Sequence, residues 1–442
     1  MDIGQIKKIP LFRREIIESI HRWMEDDRLI LLVGSRQVGK TSVLYLLIQD
    51  LLAKGIEEKS IFYFDLEDFE ILELLNSGVK NFIQYLQGLG ANLERKVFVF
   101  IDEIQYLNNP TNLLKLLSDH HKNIKILCSG SSTLDIRRKF KDSLVGRKIV
   151  FEIHTLSFSE FLTFKKKEHL VRLLKDFSWQ KIKKGEFKKD GILEIWHREL
   201  MDEFEEYMIY GGYPAATLTK EKDKKLTIIQ ELYHTYVRKD LNQLFTIEDI
   251  SAFNSLVKLL GLQIGNLVNL AQVSASLSVS RKTIEKYLFI LENTFIIKRI
   301  MPIFTNKRKE IIKMPKVFFY DVGLRNQVIR NASPLALRAD AGALMENYLF
   351  SYLINNLGIE EELKFWRTKS GNEVDFVVES GETLLPIEVK YRAGKKDTIP
   401  SGIRFFLQKY NPKKALIITR DYLGKRINNG VEIYFIPVYL LG

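Results

Sequence analysis

Short apolar runs recur through the first third of the chain, all but the last closed by a small or acidic residue. Arg28-Leu29-Ile30-Leu31-Leu32-Val33 is the first, followed by Ile61-Phe62-Tyr63-Phe64, Val97-Phe98-Val99-Phe100-Ile101, Ile124-Lys125-Ile126-Leu127-Cys128 and Ile149-Val150-Phe151-Glu152-Ile153. Their brevity and continuous apolarity predict five buried strands of a parallel sheet. From 156 to 255 the pattern is helical, opening with Leu156-Ser157-Phe158-Ser159-Glu160-Phe161-Leu162 and broken by the turn Tyr210-Gly211-Gly212-Tyr213-Pro214. Within it, residues 165–190 carry ten Lys and Arg against four Asp and Glu, which predicts an exposed insertion. A short helix over Leu267–Leu277 and a second over Arg281–Leu291 follow, the latter with Ile284, Tyr287, Leu288 and Leu291 on one face. The C-terminal part alternates between a helix around Gly342–Leu349 and strands over Glu373–Val378 and Leu384–Lys390. The expected fold class is α/β, with boundaries at 1–155, 156–255, 256–316 and 317–442.

Composition narrows this little: 442 residues at 46% hydrophobic and 28% charged are ordinary for a globular chain of about two to four domains. No run of 18 apolar residues occurs and the first eight residues lead into no apolar stretch, so neither a membrane span nor a signal peptide is expected. A single cysteine, Cys128, excludes an internal disulfide and a cysteine-based zinc site, and fits a cytoplasmic setting. Its place inside an apolar strand points to core packing rather than reactivity.

Charge changes the picture more. The net +12 is absent from residues 1–255, where 39 basic side chains meet 38 acidic ones. Residues 256–329 hold 12 against 4, and 390–442 hold 11 against 3. Positive charge concentrated in this way suits a polyanion, DNA first among the expected partners, or else a solvated basic surface.

The first apolar run leads into Gly34-Ser35-Arg36-Gln37-Val38-Gly39-Lys40-Thr41, a G-x-x-x-x-G-K-[ST] loop that opens a helix at Ser42. Backbone N–H groups of such a loop surround phosphates, Lys40 reaches the β- and γ-phosphates of ATP, and the Thr41 hydroxyl helps hold Mg²⁺. The third run ends in Asp102-Glu103. Asp102 is expected to bind Mg²⁺ through water and Glu103 to orient or deprotonate the attacking water, so the pair argues for hydrolysis as well as binding. With Ser129-Gly130-Ser131-Ser132 closing the fourth run, the chain resembles the AAA+ and STAND-like P-loop ATPases of prokaryotes and archaea. That resemblance implies a γ-phosphate sensor at Ser129 or Ser131. It also implies an arginine finger at Arg147, completed by a neighbouring copy in a homo-oligomer, unless Arg147 is a surface or capping residue.

The two helices around Ser278-Val279-Ser280 look like a helix-turn-helix, with Ser280 as N-cap. Together with strands at Phe295-Ile296-Ile297 and Ile311-Ile312 and the basic turn Asn306-Lys307-Arg308-Lys309, they resemble a winged helix. Arg281, Lys282 and Lys286 are then expected on the outer face, where they would contact phosphates without reading sequence. Winged helices also serve as protein-packing modules, and that alternative stands beside the first.

All seven histidines lie at or before His234, so chemistry in the last 208 residues must use carboxylates, lysine and metal. Glu388 and Lys390 are two apart on one strand and share a face, with Asp375 on the strand before. In the order Glu346, Asp375, Glu388-x-Lys390 the segment resembles the PD-(D/E)xK nuclease superfamily, though no proline precedes the aspartate. The resemblance implies Mg²⁺ on Asp375 and Glu388, supported by Glu346, with Lys390 holding the attacking water. The alternatives are a salt-bridged strand pair and a nuclease fold whose site is unused. Two readings result: an ATP-driven protein acting on DNA with a nuclease-like domain, and a nucleotide-switched regulator that binds DNA or protein without cleavage.

Overall fold

The computed structural model describes residues 2–130, 144, 146–187, 192–236, 249–303, 314–391 and 398–442. It divides into two compact units, one built mainly of Met1–His154 and the other of Thr155–His234, Ile247–Glu292 and Ile296–Gly442. Among the described residues no helix is long and apolar enough to cross a membrane.

In the first unit the five apolar runs are strands β1 (Leu29–Val33), β2 (Ile61–Asp65), β3 (Val97–Asp102), β4 (Ile124–Gly130) and β5 (Lys148–Glu152). They form one parallel sheet in the order β2-β3-β4-β1-β5. Central strands are buried throughout, whereas β5 at the edge is half-exposed. Cys128 lies in the core of β4. Because every strand runs the same way, the loop after β1 and the acidic pair after β3 emerge on one edge of the sheet. Ligands of open parallel sheets bind at that carboxyl edge.

The second unit begins with Phe158–Phe164, a helix fixed by a capping box in which Ser157 and Glu160 exchange side-chain and backbone hydrogen bonds. Residues 165–187 are not an exposed insertion. Leu170, Leu174, Phe177, Trp179 and Ile182 are buried, and Trp179 meets Tyr352 edge to face. Several of the lysines that suggested a solvated segment are tethered: Lys165 pairs with Glu203 and Glu206, and Lys183 with Glu361. Charge counts alone hid a helical face whose apolar residues each contribute roughly 1.5–3 kcal/mol on burial.

Helices Ile250–Leu262, Leu270–Leu277 and Arg281–Asn293 precede an antiparallel pair, β6 (Ile297–Ile300) and β7 (Lys316–Phe319). Leu267 bridges to Lys316, adding a third extended segment to the pair. The predicted strand at Ile311-Ile312 and the basic turn at 306–309 fall outside the described residues.

The C-terminal sheet contains β8 (Glu361–Arg367), β9 (Glu373–Ser380), β10 (Thr383–Lys390), β11 (Lys414–Thr419), β12 (Gly424–Asn428) and β13 (Val431–Pro437). Their order is β12-β13-β11-β10-β9-β8, with β8-β9-β10 an antiparallel meander and β10, β11 and β13 parallel. Helix Ser401–Tyr410 makes the crossover from β10 to β11, and helix Ala341–Asn356 precedes the meander. Its Asn347 is fully buried, accepting from the Phe319 N–H at 2.8 Å and donating to the Phe319 carbonyl at 2.9 Å. One amide thus pairs the C-terminal end of β7 as a neighbouring strand would.

Candidate functional site

In the first unit the loop Gly34–Lys40 curls through left-handed backbone at Gln37 (φ 59°) and Gly39 (φ 94°). Gly34 admits no side chain, since a Cβ there would lie 2.1 Å from the Ile153 carbonyl oxygen. Helix Lys40–Ala53 has no side-chain cap, so its first N–H groups are left for an anion. Lys40 is buried, donating to the carbonyls of Gly34 at 3.1 Å and Ser35 at 2.8 Å. Ser35, Arg36 and Ser42 are half-buried around the loop, Gln37 is exposed, and Val38 is buried beneath it.

Asp102 is the hub of the site. Thr41 Oγ1 donates to its Oδ2 at 2.6 Å, Tyr63 Oη to the same oxygen at 3.0 Å, and Ser129 Oγ to its Oδ1. Burial, and then the Asp102 charge, push the Tyr63 hydroxyl far above its usual range, so it stays a donor. The donor set of Thr41 and Asp102 fits a phosphate-bound Mg²⁺, which takes few protein oxygens and completes its shell with water and phosphate. Glu103 follows in a left-handed conformation (φ 55°, ψ 47°), its N–H on Asp102 Oδ1 and its carboxylate accepting from Gln105 Nε2. A non-glycine residue held there is strained, a feature that concentrates at working sites.

Two residues of this site carried no sequence signal. Arg14 is buried, donating from Nη1 to Val38 O at 2.7 Å and from Nη2 to His154 O at 2.9 Å, so it ties the loop to the segment after β5. Tyr63 read as one more apolar strand position. Ser129, of the two sensor candidates, has its hydroxyl on Asp102; Ser131 lies outside the described residues. Arg147 pairs with Asp119 at 2.7 Å, and its carbonyl accepts from Leu29 N, at the opposite end of β1 from the loop. Five residues of strand, roughly 15 Å, separate it from this chain's own nucleotide loop.

In the second unit Glu346, Asp375, Glu388 and Lys390 come together, with two residues that the sequence reading omitted. The β9–β10 ladder runs to the pair Ile387 and Phe376, beyond which side chains replace backbone. Asp375 Oδ2 accepts from Val389 N at 2.8 Å, and Glu388 Oε2 from Asp375 N at 3.3 Å. Lys390 Nζ donates to Glu388 Oε1 at 2.6 Å. Lys316, the first residue of β7, buries its ammonium against Glu373 and 4.0 Å from Asp375 Oδ1. Burial would lower the Lys316 pKa, but the charges of Asp375, Glu346 and Glu373 reverse this and keep it raised. Burial, then the Asp375 charge, hold Glu346 well above the carboxylate range and bring Glu388 up to about 7. Burial also raises Asp375, against the pull of Lys316.

Glu346, Asp375 and Glu388 converge, yet among the described residues no group of three or more His, Cys, Asp or Glu is arranged to hold a metal ion. The carboxylate oxygens answer to N–H donors and two ammoniums, and Mg²⁺ does not fit them as they stand. Lys316 has no local signal; only tertiary contact brings β7 to β9.

At the start of helix Arg281–Asn293, Ser280 Oγ accepts from Thr283 N at 3.1 Å as N-cap, and Arg281, Lys282 and Lys286 are exposed. Not all the surplus charge of 256–329 is surface: Lys316 and Arg325 are interior.

Comparison with known proteins agrees with the first unit. Residues 26–162 match the model of the AAA domain. Over this segment the chain is similar to the AAA domain family. Residues 201–335 and 341–440 match two domains of unknown function, DUF8612 and DUF4143. An uncharacterized protein of Haemophilus influenzae is 24% identical over 99% of this chain and 100% of its own length. A second, from Methanocaldococcus jannaschii, is 26% identical over 83% of this chain and 75% of its own. Among solved structures, the Walker-type ATPase of Pyrococcus abyssi is similar at a TM-score of 0.45 and 14% identity, covering 73% of this chain and 99% of that one.

Proposed function

We propose that the chain binds and hydrolyses MgATP at the P-loop and engages DNA through its second unit, without cutting it. The observation that carries the ATPase reading is Asp102, joined to Thr41 on one side and followed by Glu103 on the other. In this reading Lys40 would turn from the Gly34 and Ser35 carbonyls to the phosphates, and Thr41 and Asp102 would hold a Mg²⁺ ion, which would supply charge neutralisation there. Glu103 then takes the proton of the attacking water once it turns from Gln105.

The DNA reading is supported by three helices followed by an antiparallel strand pair, a winged-helix layout, with Arg281, Lys282 and Lys286 exposed on the third helix. The nuclease alternative is supported by the helix, antiparallel meander, crossover helix and parallel strand of the last 102 residues (341–442). Against cleavage stands Lys316 among the carboxylates. The test is anisotropy of labelled duplex DNA at 50 and 200 mM salt. Three phosphate contacts predict roughly a forty-fold loss of affinity over that range. The variant Arg281→Ala/Lys282→Ala/Lys286→Ala should bind more weakly with a shallower slope, and DNA recovered after incubation with Mg²⁺ should be whole. Salt-independent binding, or an unaffected triple variant, removes the DNA part; cut DNA restores the nuclease.

A further inference from the structure

The carboxylates of the second unit need a cation, and one is already built in. The cluster holds four acids, Glu346, Glu373, Asp375 and Glu388, brought from a helix and two strands. Asp375 Oδ1 is the more open oxygen for a divalent ion, because Oδ2 already accepts from Val389 N at 2.8 Å. That approach is where the Lys316 ammonium lies, 4.0 Å from Asp375 Oδ1 and in contact with Glu373. Its fourth side is the face of Phe365, 5.4 Å from the ring centre, a favourable place for a cation and an unfavourable one for hydrated metal. Glu373 is bound a second time by Arg367 at 2.8 Å.

Lys316 is also held from behind. Gly265 N donates to Val317 O at 3.1 Å and Val268 N to Pro315 O at 2.8 Å, while Asn347, the neighbour of Glu346, clamps Phe319. Glu346 Oε2 lies so close to Gly265 that a Cβ there would approach it to 2.8 Å. Strand β7, the Gly265 turn and the Glu346 helix therefore place one ammonium by backbone contacts, not by a flexible side chain reaching at random. Withdrawing it would leave Glu373 to Arg367 and Glu388 to Lys390 and take from the buried Asp375 the ammonium 4.0 Å away, an unfavourable change.

We infer that Lys316 is the resident cation of this cluster: it stands in for a divalent metal, and the cluster accepts such an ion only when that ammonium is removed. The inference holds whether or not the second unit binds DNA. It is tested on the full chain without nucleotide, by loss of the free Mn²⁺ resonance signal on titration. Wild type and Asp375→Asn should take up the same Mn²⁺. Lys316→Met should bind about one further Mn²⁺ per chain, lost again in Lys316→Met/Asp375→Asn. Lys316→Arg, which keeps the charge, should gain none. Asp375-dependent Mn²⁺ binding by wild type overturns the inference, and so does a folded Lys316→Met protein, checked by circular dichroism, that gains no ion. If Lys316→Met does not fold, the comparison of wild type with Asp375→Asn still decides.

Discussion

At the residue scale the nucleotide site depends on a few atoms with no slack. Gly34 is one: the Ile153 carbonyl occupies the space of a Cβ, so Gly34→Ala must push the loop off β5. The expected outcome is loss of ATP binding by calorimetry with the melting temperature lowered only modestly, because the strained segment is local. Unchanged affinity would mean that the loop yields freely. Lys40, Thr41, Asp102 and Glu103 were legible from spacing because phosphate and Mg²⁺ chemistry demands those types at those places. Arg14 and Tyr63 were not. Each acts across more than 20 residues of sequence, through a carbonyl of Val38 or an oxygen of Asp102, and neither contact leaves a local pattern.

Elements of the second unit are joined by buried polar contacts at their ends. The turn Tyr210–Pro214, visible in the sequence only as a helix break, packs on the N-terminus of helix Val322–Val328. Its Gly212 N–H donates to Asp321 Oδ2 at 2.8 Å, and a Cβ at Gly211 would lie 2.2 Å from Asp321 Oδ1. Nearby, Asp340 accepts from Arg325 at 2.5 Å and Arg338 at 2.9 Å, both buried guanidiniums. Burial alone would raise the Asp340 pKa, but these hydrogen bonds and charges bring it down to about 2. A depressed carboxyl contributes stability above the unfolded value near 4, lost as pH falls towards 2. Asp340→Ala should cost about 3–5 kcal/mol in urea unfolding at pH 7, because it leaves two buried cations unpaired. The penalty should shrink between pH 4 and 2; a penalty independent of pH there would deny the pairing.

The five strands of the first unit were readable because continuous apolar runs and a parallel sheet imply one another. Residues 165–187 were misread for the opposite reason: their lysines mask a buried face, and only partners such as Glu203, Glu206 and Glu361, distant in sequence, show where the charges go. The carboxylates of the C-terminal domain were found from their order along helix and strands. Their counter-ion was not, since Lys316 precedes Asp375 by 59 residues and looked like part of a basic surface.

At the scale of the molecule, among the described residues of 256–329 some of the surplus positive charge is exposed on the helix Arg281–Asn293, and some, Lys316 and Arg325, is interior beside Glu373 and Asp340. Residues 1–154, the main part of the first unit, are nearly balanced, with 22 Lys and Arg against 21 Asp and Glu. Turnover at Glu103 is the centre of this account, and comparing wild type with Glu103→Gln tests it most directly. Phosphate release and ATP binding are measured on the same preparations. The account predicts steady release by wild type, and in Glu103→Gln a fall of about 10²–10⁴-fold with ATP affinity retained. Release that continues unchanged in Glu103→Gln would contradict it.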